Sequence, residues 1–141
     1  MQEYTIKPGA GIVVVKKING EWMPLGLRAL DGMLDIPKGV IDPGEDAFNA
    51  AVRETKEECG ITNLDFLWGK DLLINSSSNG HITVYVAATN EEPIININPH
   101  TGIKEHTNAS WVSWDKLQSE TYDFLVPCLG WARGLVEKSD D

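Results

Sequence analysis

The order of apolar and polar residues along the first part of the chain predicts a β-hairpin. Residues 11–17 are a continuous run rich in β-branched side chains, which is typical of a strand buried on both faces of a sheet. Asn19-Gly20 favours a tight turn into a second strand at residues 22–30. Pro24 in that strand predicts an edge or bulged position, because proline cannot donate to a sheet ladder. The first strand is therefore expected at the centre of a sheet.

In the next part of the chain the spacing of apolar residues changes from that of a strand to that of a helix. A short strand at residues 33–36 is expected to end at Pro37, and two glycines and a proline predict a loop over residues 39–44. Residues 45–59 then place apolar side chains at helix-compatible intervals. Gly60 is expected to close this helix in the left-handed conformation that glycine adopts without strain. The region is thus predicted to be strand, loop and helix.

The second half of the chain repeats the alternation of strands and helices. Strands are predicted at residues 64–74 and 81–88, joined by a loop over 75–80, and a further strand at 109–114. A closing helix is predicted at residues 122–136. Two helix starts are marked by Ser113 or Asp115 for a short helix and by Pro127 for the closing one. Mixed strands with flanking helices predict an α/β sandwich, in a single domain spanning residues 1–141.

Composition and charge narrow the class of protein. The chain has 141 residues, 42% hydrophobic residues and five Trp, three Tyr and three Phe, which excludes a disordered chain. Twelve Lys+Arg against 21 Asp+Glu give a formal charge of −9. Binding to duplex nucleic acid needs clustered basic residues, so this acidity argues against it. A polyanionic ligand can still bind where metal cations reverse the local field.

The cysteines and the apolar runs bear on the cellular compartment. Cys59 and Cys128 have no metal-ligand partners at short spacing, so neither a disulfide framework nor a zinc site is expected. No apolar run approaches the roughly 20 residues that span a bilayer, and residues 1–10 lack the pattern of a secretory signal. We therefore expect no membrane association and a reducing, cytoplasmic location.

Three glutamates on the predicted helix are the first candidates for chemistry. Glu54, Glu57 and Glu58 lie at i, i+3 and i+4 and share one helical face. Like charges at these spacings repel by about 0.2–0.5 kcal/mol per pair, so something must compensate. One interpretation is a solvated face neutralised by Arg53 and Lys56. The other is a site for Mg²⁺ or Mn²⁺, which carboxylate oxygens coordinate when the cation also holds substrate phosphates.

The full spacing of this region favours the second interpretation. The pattern is Gly39, five residues, Glu45, seven residues, Arg53-Glu54, one residue, Lys56, Glu57-Glu58, Cys59, Gly60-Ile61. This resembles the Nudix box at all seven of its fixed positions. The one departure is Thr55, where the family usually has a larger aliphatic residue. The resemblance implies an α/β/α sandwich with a mixed sheet between helices, and a metal-dependent pyrophosphohydrolase.

The resemblance also implies roles for the charged residues of the box. Glu54, Glu57 and Glu58 would bind Mg²⁺ or Mn²⁺. Arg53 would hold a neighbouring glutamate in its coordinating orientation, which a bidentate guanidinium does better than lysine. Glu45 would orient the loop or a metal-bound water, and a carboxylate at this place also favours the helix dipole.

Residues around the box carry further expectations. Gly39 would let the backbone come close to the metal, and the carbonyl of Lys38 is a candidate extra ligand. The Lys38 side chain is placed to contact phosphate, and Gly60 is expected to be structural. A general base is needed near the attacking water. In this family it comes from the box or from a later loop, where Glu105 is the first candidate and His106 the second.

Two segments indicate the substrate. Residues 37–46 (PKGVIDPGED) resemble the version of the box found in diadenosine tetraphosphate hydrolases and diphosphoinositol polyphosphate hydrolases. Glu105-His106 and residues 109–117 also resemble the dinucleoside tetraphosphate branch. A dinucleoside polyphosphate such as diadenosine tetraphosphate is therefore the expected substrate.

Two departures from that branch keep other substrates open. The tryptophan expected before Pro37 is absent from residues 34–36, and the stacking tyrosine expected beyond the box falls near residues 77–78. Tyr85 or Trp22 would stack a base instead, unless they pack in the core. The alternatives are RNA 5′ ends, ADP-ribose, diphosphoinositol phosphates and nucleoside triphosphates, or a non-catalytic module that senses a nucleotide. The oligomeric state is left open.

Overall fold

The fold is known from a computed structural model that describes residues 8–69, 72–77, 80–97 and 102–138. Seven strands lie within these ranges: β1 Gly9–Ile18, β2 Glu21–Ala29, β3 Leu34–Asp35, β4 Lys38–Val40, β5 Leu72–Ser77, β6 Gly80–Ala88 and β7 His106–Trp111. The helices are α1 Ala47–Cys59, α2 Trp114–Glu120 and α3 Val126–Lys138, with a 3₁₀ turn at Asp123–Leu125 before α3. None of the described helices has the length and apolar character needed to cross a bilayer.

The strands form one mixed sheet in which β1 is central. The order is β3-β2-β1-β6-β5, with β4 also paired to β1 and β7 also paired to β2. β1 and β6 run parallel, and the other pairs of named strands are antiparallel. Six consecutive residues of β1 are buried, as expected for a strand covered on both faces: Ala10, Gly11, Ile12, Val13, Val14 and Val15.

Helices cover both faces of this sheet. Alternate residues of β1 point to opposite faces, so Ile12 and Val14 belong to one core cluster and Val13 and Val15 to the other. The first cluster includes α1 residues such as Ala51, and the second includes residues of α2 and α3. The predicted α/β/α sandwich with a mixed sheet is thereby confirmed.

Helix α1 is capped at both ends, and its C-terminal cap is the glycine that the sequence indicated. Asp46 caps its start by accepting a hydrogen bond from the Asn49 N–H at 2.7 Å. Gly60 ends it with φ 73°, and its N–H donates to the Lys56 carbonyl. The unusual Thr55 is fully buried, and its hydroxyl donates to the Ala51 carbonyl at 2.8 Å. Its polar atom is therefore satisfied within the helix.

The predictions for residues 64–80 were wrong in their boundaries. Asp65 makes only an isolated bridge to Ala88, and a turn follows in which the Gly69 N–H donates to Phe66. Strand β5 begins at residue 72 and continues to Ser77, which pairs with Gly80. Residues 75–77 and 80 of the predicted loop are therefore strand residues, and residues 78–79 lie outside the described ranges. Ladder pairing between β5 and β6 overrides the polar composition that suggested a loop.

Strand β2 also departs from its prediction. Pro24 lies opposite Val15 of β1, and its carbonyl accepts from the Val112 N–H. Beyond this point β2 pairs with β3 on one side and β7 on the other, with a register shift at Arg28/Ala29. The strand is bulged as expected but is not an edge strand, since Pro24 lies where it changes partners.

Two further segments differ from the sequence-based boundaries. The predicted loop over residues 39–44 begins as strand β4, whose Gly39 pairs with Ala10. The predicted helix over 122–136 starts as a 3₁₀ turn and becomes α-helical at residue 126, with Pro127 in the first turn as expected. The short helix α2 is capped by Ser113, which accepts from the Lys116 N–H.

Candidate active site

Arg53 of α1 connects several acidic side chains. Its guanidinium binds both carboxylate oxygens of Glu45, at 2.9 and 3.0 Å. It also donates to Glu54 at 2.8 Å, to Glu57 at 3.1 Å and to the Val40 carbonyl at 3.0 Å. These bonds raise the pKa of Arg53 and, at the other end of the pair, lower the pKa of Glu45. The guanidinium therefore fixes three carboxylates relative to strand β4.

Glu54 lies directly against strand β4. A Cβ built on Gly39 would be 2.1 Å from the Glu54 carboxyl carbon and 2.3 and 2.4 Å from its oxygens. Only glycine leaves room for the carboxylate in this position. Burial raises the pKa of Glu54, an effect that Arg53 opposes and that the nearby charges of Glu57 and Glu105 reinforce.

Glu58 is enclosed more deeply by the protein than Glu54. Its carboxylate accepts a hydrogen bond from the Lys38 N–H at 2.6 Å. Burial raises the pKa of Glu58 to about 9, and the charge of Asp35 adds to this although the Lys38 N–H opposes it. The folded protein therefore carries a carboxyl group whose ionisation is costly unless a cation compensates it.

Glu105 and His106 come to the box from the start of β7. One potential ligand atom from each of Glu58, Glu105 and His106 lies within 4.8 Å of the others. His106 is buried, and its Nε2 lies 3.3 Å from the carboxylate of Asp35, which is also buried. The structure thus brings Glu105 to the box, as the sequence indicated, and it places His106 beside the same carboxylates.

These groups line one open cleft with a volume of about 470 Å³. Its walls include Lys38, Gly39, Glu58, Glu105 and His106. The rest of its lining comes from the end of β2, the β2–β3 turn, β3 and the segment before α3: Ala29, Leu30, Asp31, Asp35 and Tyr122. The cleft is therefore acidic at the box and carries one lysine.

Lys38 lies between the acidic groups and an aromatic pair. Its ammonium is 3.2 Å from the Asp35 carboxylate, and it lies about 6 Å above the rings of Tyr122 and Phe124 (6.0 and 5.8 Å). The two rings stack at 5.8 Å. The cation is half-buried in the cleft wall, so a bound phosphate would meet a positioned charge.

The structure corrects the two residues expected to stack a base. Tyr85 is 4% exposed and packs edge-on against Phe48 in the core beneath α1. Trp22 packs against Trp68 near the start of β2, whereas the cleft meets this strand at its other end, at Ala29. Neither ring lines the cleft, because one fills the core and the other covers the far end of the sheet.

Sequence reasoning missed Asp35 and Tyr122. Both line the cleft, and the Tyr122 hydroxyl donates to the Asp31 carboxylate at 2.9 Å. Asp35 is the second residue of the short strand β3, and Tyr122 lies 87 positions later along the chain. The signal available for Asp35 was its place just before Pro37-Lys38-Gly39, in a strand otherwise made of apolar residues. Tyr122 had no local signal, since only the tertiary fold brings it to the cleft.

The donor set fits a divalent cation. Carboxylates dominate one end of the cleft. The Glu54 carboxylate rests against Gly39 in a space, the Glu54 cradle, that a side chain at position 39 would fill. Hard cations prefer such oxygen ligands. The geometry therefore supports a site that neutralises polyphosphate oxygens and positions a water near phosphorus.

Comparisons with known proteins identify the family of this chain. The family model for the NUDIX domain matches residues 6–127. The bis(5'-nucleosyl)-tetraphosphatase [asymmetrical] of Caenorhabditis elegans is 46% identical over 55 residues, which are 38% of this chain and 40% of that protein. The RNA pyrophosphohydrolase of Pelagibacter ubique (strain HTCC1062) is 34% identical over 70 residues, or 50% of this chain and 44% of that protein. The chain covers less than half the length of either relative.

The fold is similar to solved structures over nearly the whole chain. The crystal structure of a C. elegans Ap4A hydrolase binary complex superposes with a TM-score of 0.76 at 24% sequence identity. The match covers 94% of this chain and 99% of that one. At this identity the likeness establishes the fold.

Proposed function

The chain belongs to the NUDIX domain family, and on that premise we propose that it is a metal-dependent hydrolase of pyrophosphate bonds. The observation that carries the proposal is the meeting of Glu58, Glu105 and His106 beside the Glu54 cradle, in a cleft that also contains Lys38. A degenerate binding module would be expected to lack some of these carboxylates.

We assign Glu54, Glu57 and Glu58 as the residues that hold Mg²⁺ or Mn²⁺, with the Lys38 carbonyl and the space beside Gly39 completing the site. When bound, the cations would neutralise phosphate oxygens and lower the pKa of a water molecule. The raised pKa of Glu58 supports this assignment, because a cation relieves the cost of ionising a buried carboxyl.

Arg53 and Lys38 have different proposed tasks. Arg53 is not among the residues that line the cleft. It binds the carboxylates of Glu45, Glu54 and Glu57, so its task is to orient them. The Lys38 ammonium lines the cleft and binds a substrate phosphate, exchanging part of its contact with Asp35 for that anion. Glu45 orients the site indirectly, through Arg53 and through the backbone of Asp42, whose N–H donates a hydrogen bond to the Glu45 carboxylate at 3.1 Å.

Glu105 is proposed as the general base. A carboxylate oxygen of Glu105 lies within 4.8 Å of one of Glu58, so Glu105 would reach a water activated by a cation held at Glu58. It would accept a proton from that water as the water oxygen bonds to phosphorus and the anhydride P–O bond to the leaving phosphate group breaks. The box glutamates are the alternative source of this base.

A dinucleoside polyphosphate such as diadenosine tetraphosphate is the proposed substrate. The support is the sequence of residues 37–46 and the partial identity to the C. elegans tetraphosphatase. A second candidate is a triphosphorylated RNA 5′ end, since an RNA pyrophosphohydrolase is 34% identical over half of the chain. Diphosphoinositol phosphates share the support of residues 37–46 alone, and ADP-ribose and nucleoside triphosphates lack even that.

We place this activity in a reducing cytoplasm. Cys59 and Cys128 are both buried thiols with no disulfide, and burial raises the pKa of each thiol above its ordinary value. Such thiols are unreactive, which suits a protein whose substrates are cytoplasmic nucleotides.

Product analysis of a substrate panel tests the proposal. Diadenosine tetraphosphate, triphosphorylated RNA, ADP-ribose, a diphosphoinositol phosphate and ATP are incubated with the protein, with Mg²⁺, with Mn²⁺ and with EDTA. The largest kcat/KM for diadenosine tetraphosphate, with ATP and AMP as products, supports the proposed substrate. A dominant rate with RNA moves the second candidate to first place. No turnover of any compound with either metal contradicts the enzymatic function.

A further inference from the structure

We infer that His106 is a nitrogen ligand of the divalent cation, together with Glu58, and that the site therefore prefers Mn²⁺ and similar transition ions to Mg²⁺. The inference rests on the proposed function in that the same cleft serves both. It goes beyond it by adding an imidazole to a set otherwise made of oxygen atoms.

His106 is buried in the wall of the cleft, beside two carboxylates. The residue is only 4% exposed, yet it forms part of the cleft wall beside Glu58 and Glu105. One of its ring nitrogens lies within 4.8 Å of a carboxylate oxygen from each of them. A small rotation of side chains brings such atoms to the distances, about 2.0–2.2 Å from the ion, that a divalent transition metal requires. The acidic charge of Glu105 further favours a cation here.

Asp35 supplies the second observation. An ionised Asp35 carboxylate can only accept at Nε2 of His106, so in a neutral ring bonded in this way Nδ1 is the nitrogen with a free lone pair. Asp35 also accepts from the Ile36 N–H at 2.8 Å and lies 3.2 Å from the Lys38 ammonium. A carboxylate that fixes the ring and tautomer of a histidine is the usual companion of a metal-binding imidazole. Two contacts therefore hold the Asp35 carboxylate in place, and that carboxylate in turn orients the buried imidazole at the cleft.

The chemistry of the ligand set decides the choice of metal. Mg²⁺ demands oxygen ligands in near-ideal octahedral geometry, whereas an imidazole nitrogen adds affinity for transition ions, least for Mn²⁺ and progressively more for Co²⁺ and Ni²⁺. An oxygen-only site would show no such bias beyond the general order of affinities. The His106 nitrogen is therefore expected to separate the affinities for Mn²⁺ and Mg²⁺.

Pulsed electron paramagnetic resonance of Mn²⁺ bound to the full chain tests the inference without any turnover. A directly coordinated imidazole gives a ¹⁴N modulation of the Mn²⁺ echo. We expect this modulation in the wild-type protein, and we expect it to change to the ¹⁵N pattern when only histidine is labelled with ¹⁵N. This labelling needs no substitution, so it does not depend on whether a variant folds.

Three histidines are available, and variants identify which one binds. The double variant His81→Gln/His100→Gln keeps His106 as its only histidine and should keep the modulation. His106→Gln should lose the modulation and weaken Mn²⁺ binding by at least about tenfold, while its affinity for Mg²⁺ changes by less than about threefold. Calorimetric titration with each metal salt alone measures these affinities.

The outcomes separate this inference from the proposed function. Mn²⁺ that binds without nitrogen modulation overturns the role of His106 and leaves the hydrolase proposal in place. A modulation that survives in His106→Gln, or that disappears in the double variant, overturns it as well. If Mn²⁺ does not bind the wild-type protein at millimolar concentration, both this inference and the metal dependence of the proposed function are contradicted.

Discussion

Gly39 and Glu54 are in such close contact that no other residue fits at position 39 while the carboxylate keeps its place. A Cβ there would lie 2.1 Å from the carboxyl carbon of Glu54. The backbone of Gly39 does not have a positive φ, so alanine is compatible with its conformation. The glycine is therefore required by the neighbouring carboxylate and not by the chain's own geometry.

Gly39→Ala is expected to lower kcat/KM by about 10²-fold with little loss of stability. The end of a flexible glutamate can move away from the new methyl group, and this movement misplaces a proposed metal ligand. Hydrolysis of diadenosine tetraphosphate and thermal unfolding of the same preparations measure the two effects.

Gly134→Ala is the matched control for that variant. This glycine lies in α3, and a Cβ there would meet no atom within 4 Å. The change should leave activity unaltered and raise stability by about 0.5–1 kcal/mol, because alanine is the better helix former. Equal loss of activity in both variants would show that position 39 has no special link to Glu54.

Arg53→Lys is expected to reduce kcat by at least about tenfold, although the charge is preserved. Lysine cannot bind Glu45 at two points and reach Glu54, Glu57 and the Val40 carbonyl at once. Arg133→Lys is the control, since Arg133 forms a similar set of contacts on the surface, to Asp115, Gln118 and Glu137. Steady-state kinetics of both variants should differ clearly; similar rates would remove Arg53 from its orienting role.

Glu57→Gln and Glu58→Gln should each lower kcat by at least about 10²-fold, the scale of losing a principal electrostatic group. Circular dichroism should show an intact fold, because glutamine keeps the shape of each side chain. Glu137→Gln on the exposed end of α3 controls for the loss of one negative charge. Rates within threefold of wild type in both box variants would contradict the metal assignment.

Glu105→Gln distinguishes a base from a ligand. If Glu105 takes the proton from the attacking water, kcat should fall by about 10²–10⁴-fold while KM and the affinity for Mn²⁺ stay within about threefold. Rates measured at saturating metal are the relevant ones. An unchanged kcat would return the role of general base to the box.

Glu58 should also control how stability depends on pH in the metal-free protein. Its pKa of about 9 in the folded state lies above the ordinary value of 4.5. A raised carboxyl pKa favours folding while the group is protonated, so this contribution is complete below pH 4.5 and is lost as the pH rises to about 9. The slope from this group cannot exceed about 1.4 kcal/mol per pH unit.

Denaturant unfolding in EDTA between pH 5 and 9 measures this effect. The unfolding free energy of Glu58→Gln should rise relative to wild type as the pH increases, and added Mn²⁺ should reduce the difference. Parallel curves for the two proteins would show that burial does not perturb Glu58.

Much of the fold could be predicted because local patterns and tertiary packing agree. The apolar run of β1, the Asn19-Gly20 turn and the Gly60 cap each specify one structure by local chemistry. Residues 75–77 could not be assigned correctly, because their polar composition suggests a loop and only pairing with β6 makes them a strand. Pro24 left both an edge and a bulged position open, because partners later in the chain decide which strand lies at an edge.

The site was predictable where its residues are close in sequence, or where the family resemblance extends to them, as at Glu105. The box fixes Arg53, Glu54 and Glu58 on one helix, and helical spacing alone places them together. Tyr122 approaches the box only through folding over a long separation, which no local pattern encodes. Tyr85 was misassigned because an aromatic residue in a strand looks the same in sequence whether its ring fills the core or lines a cleft.

Anomalous diffraction from crystals grown with MnCl₂ tests the central claim most directly, since it locates the cation without reference to activity. With Glu54, Glu57 and Glu58 as metal ligands, we expect a Mn²⁺ peak in the cleft, about 2.0–2.6 Å from carboxylate oxygens of Glu58 and of Glu54 or Glu57. Peaks only at other acidic groups, or none in the cleft at millimolar Mn²⁺, would contradict it.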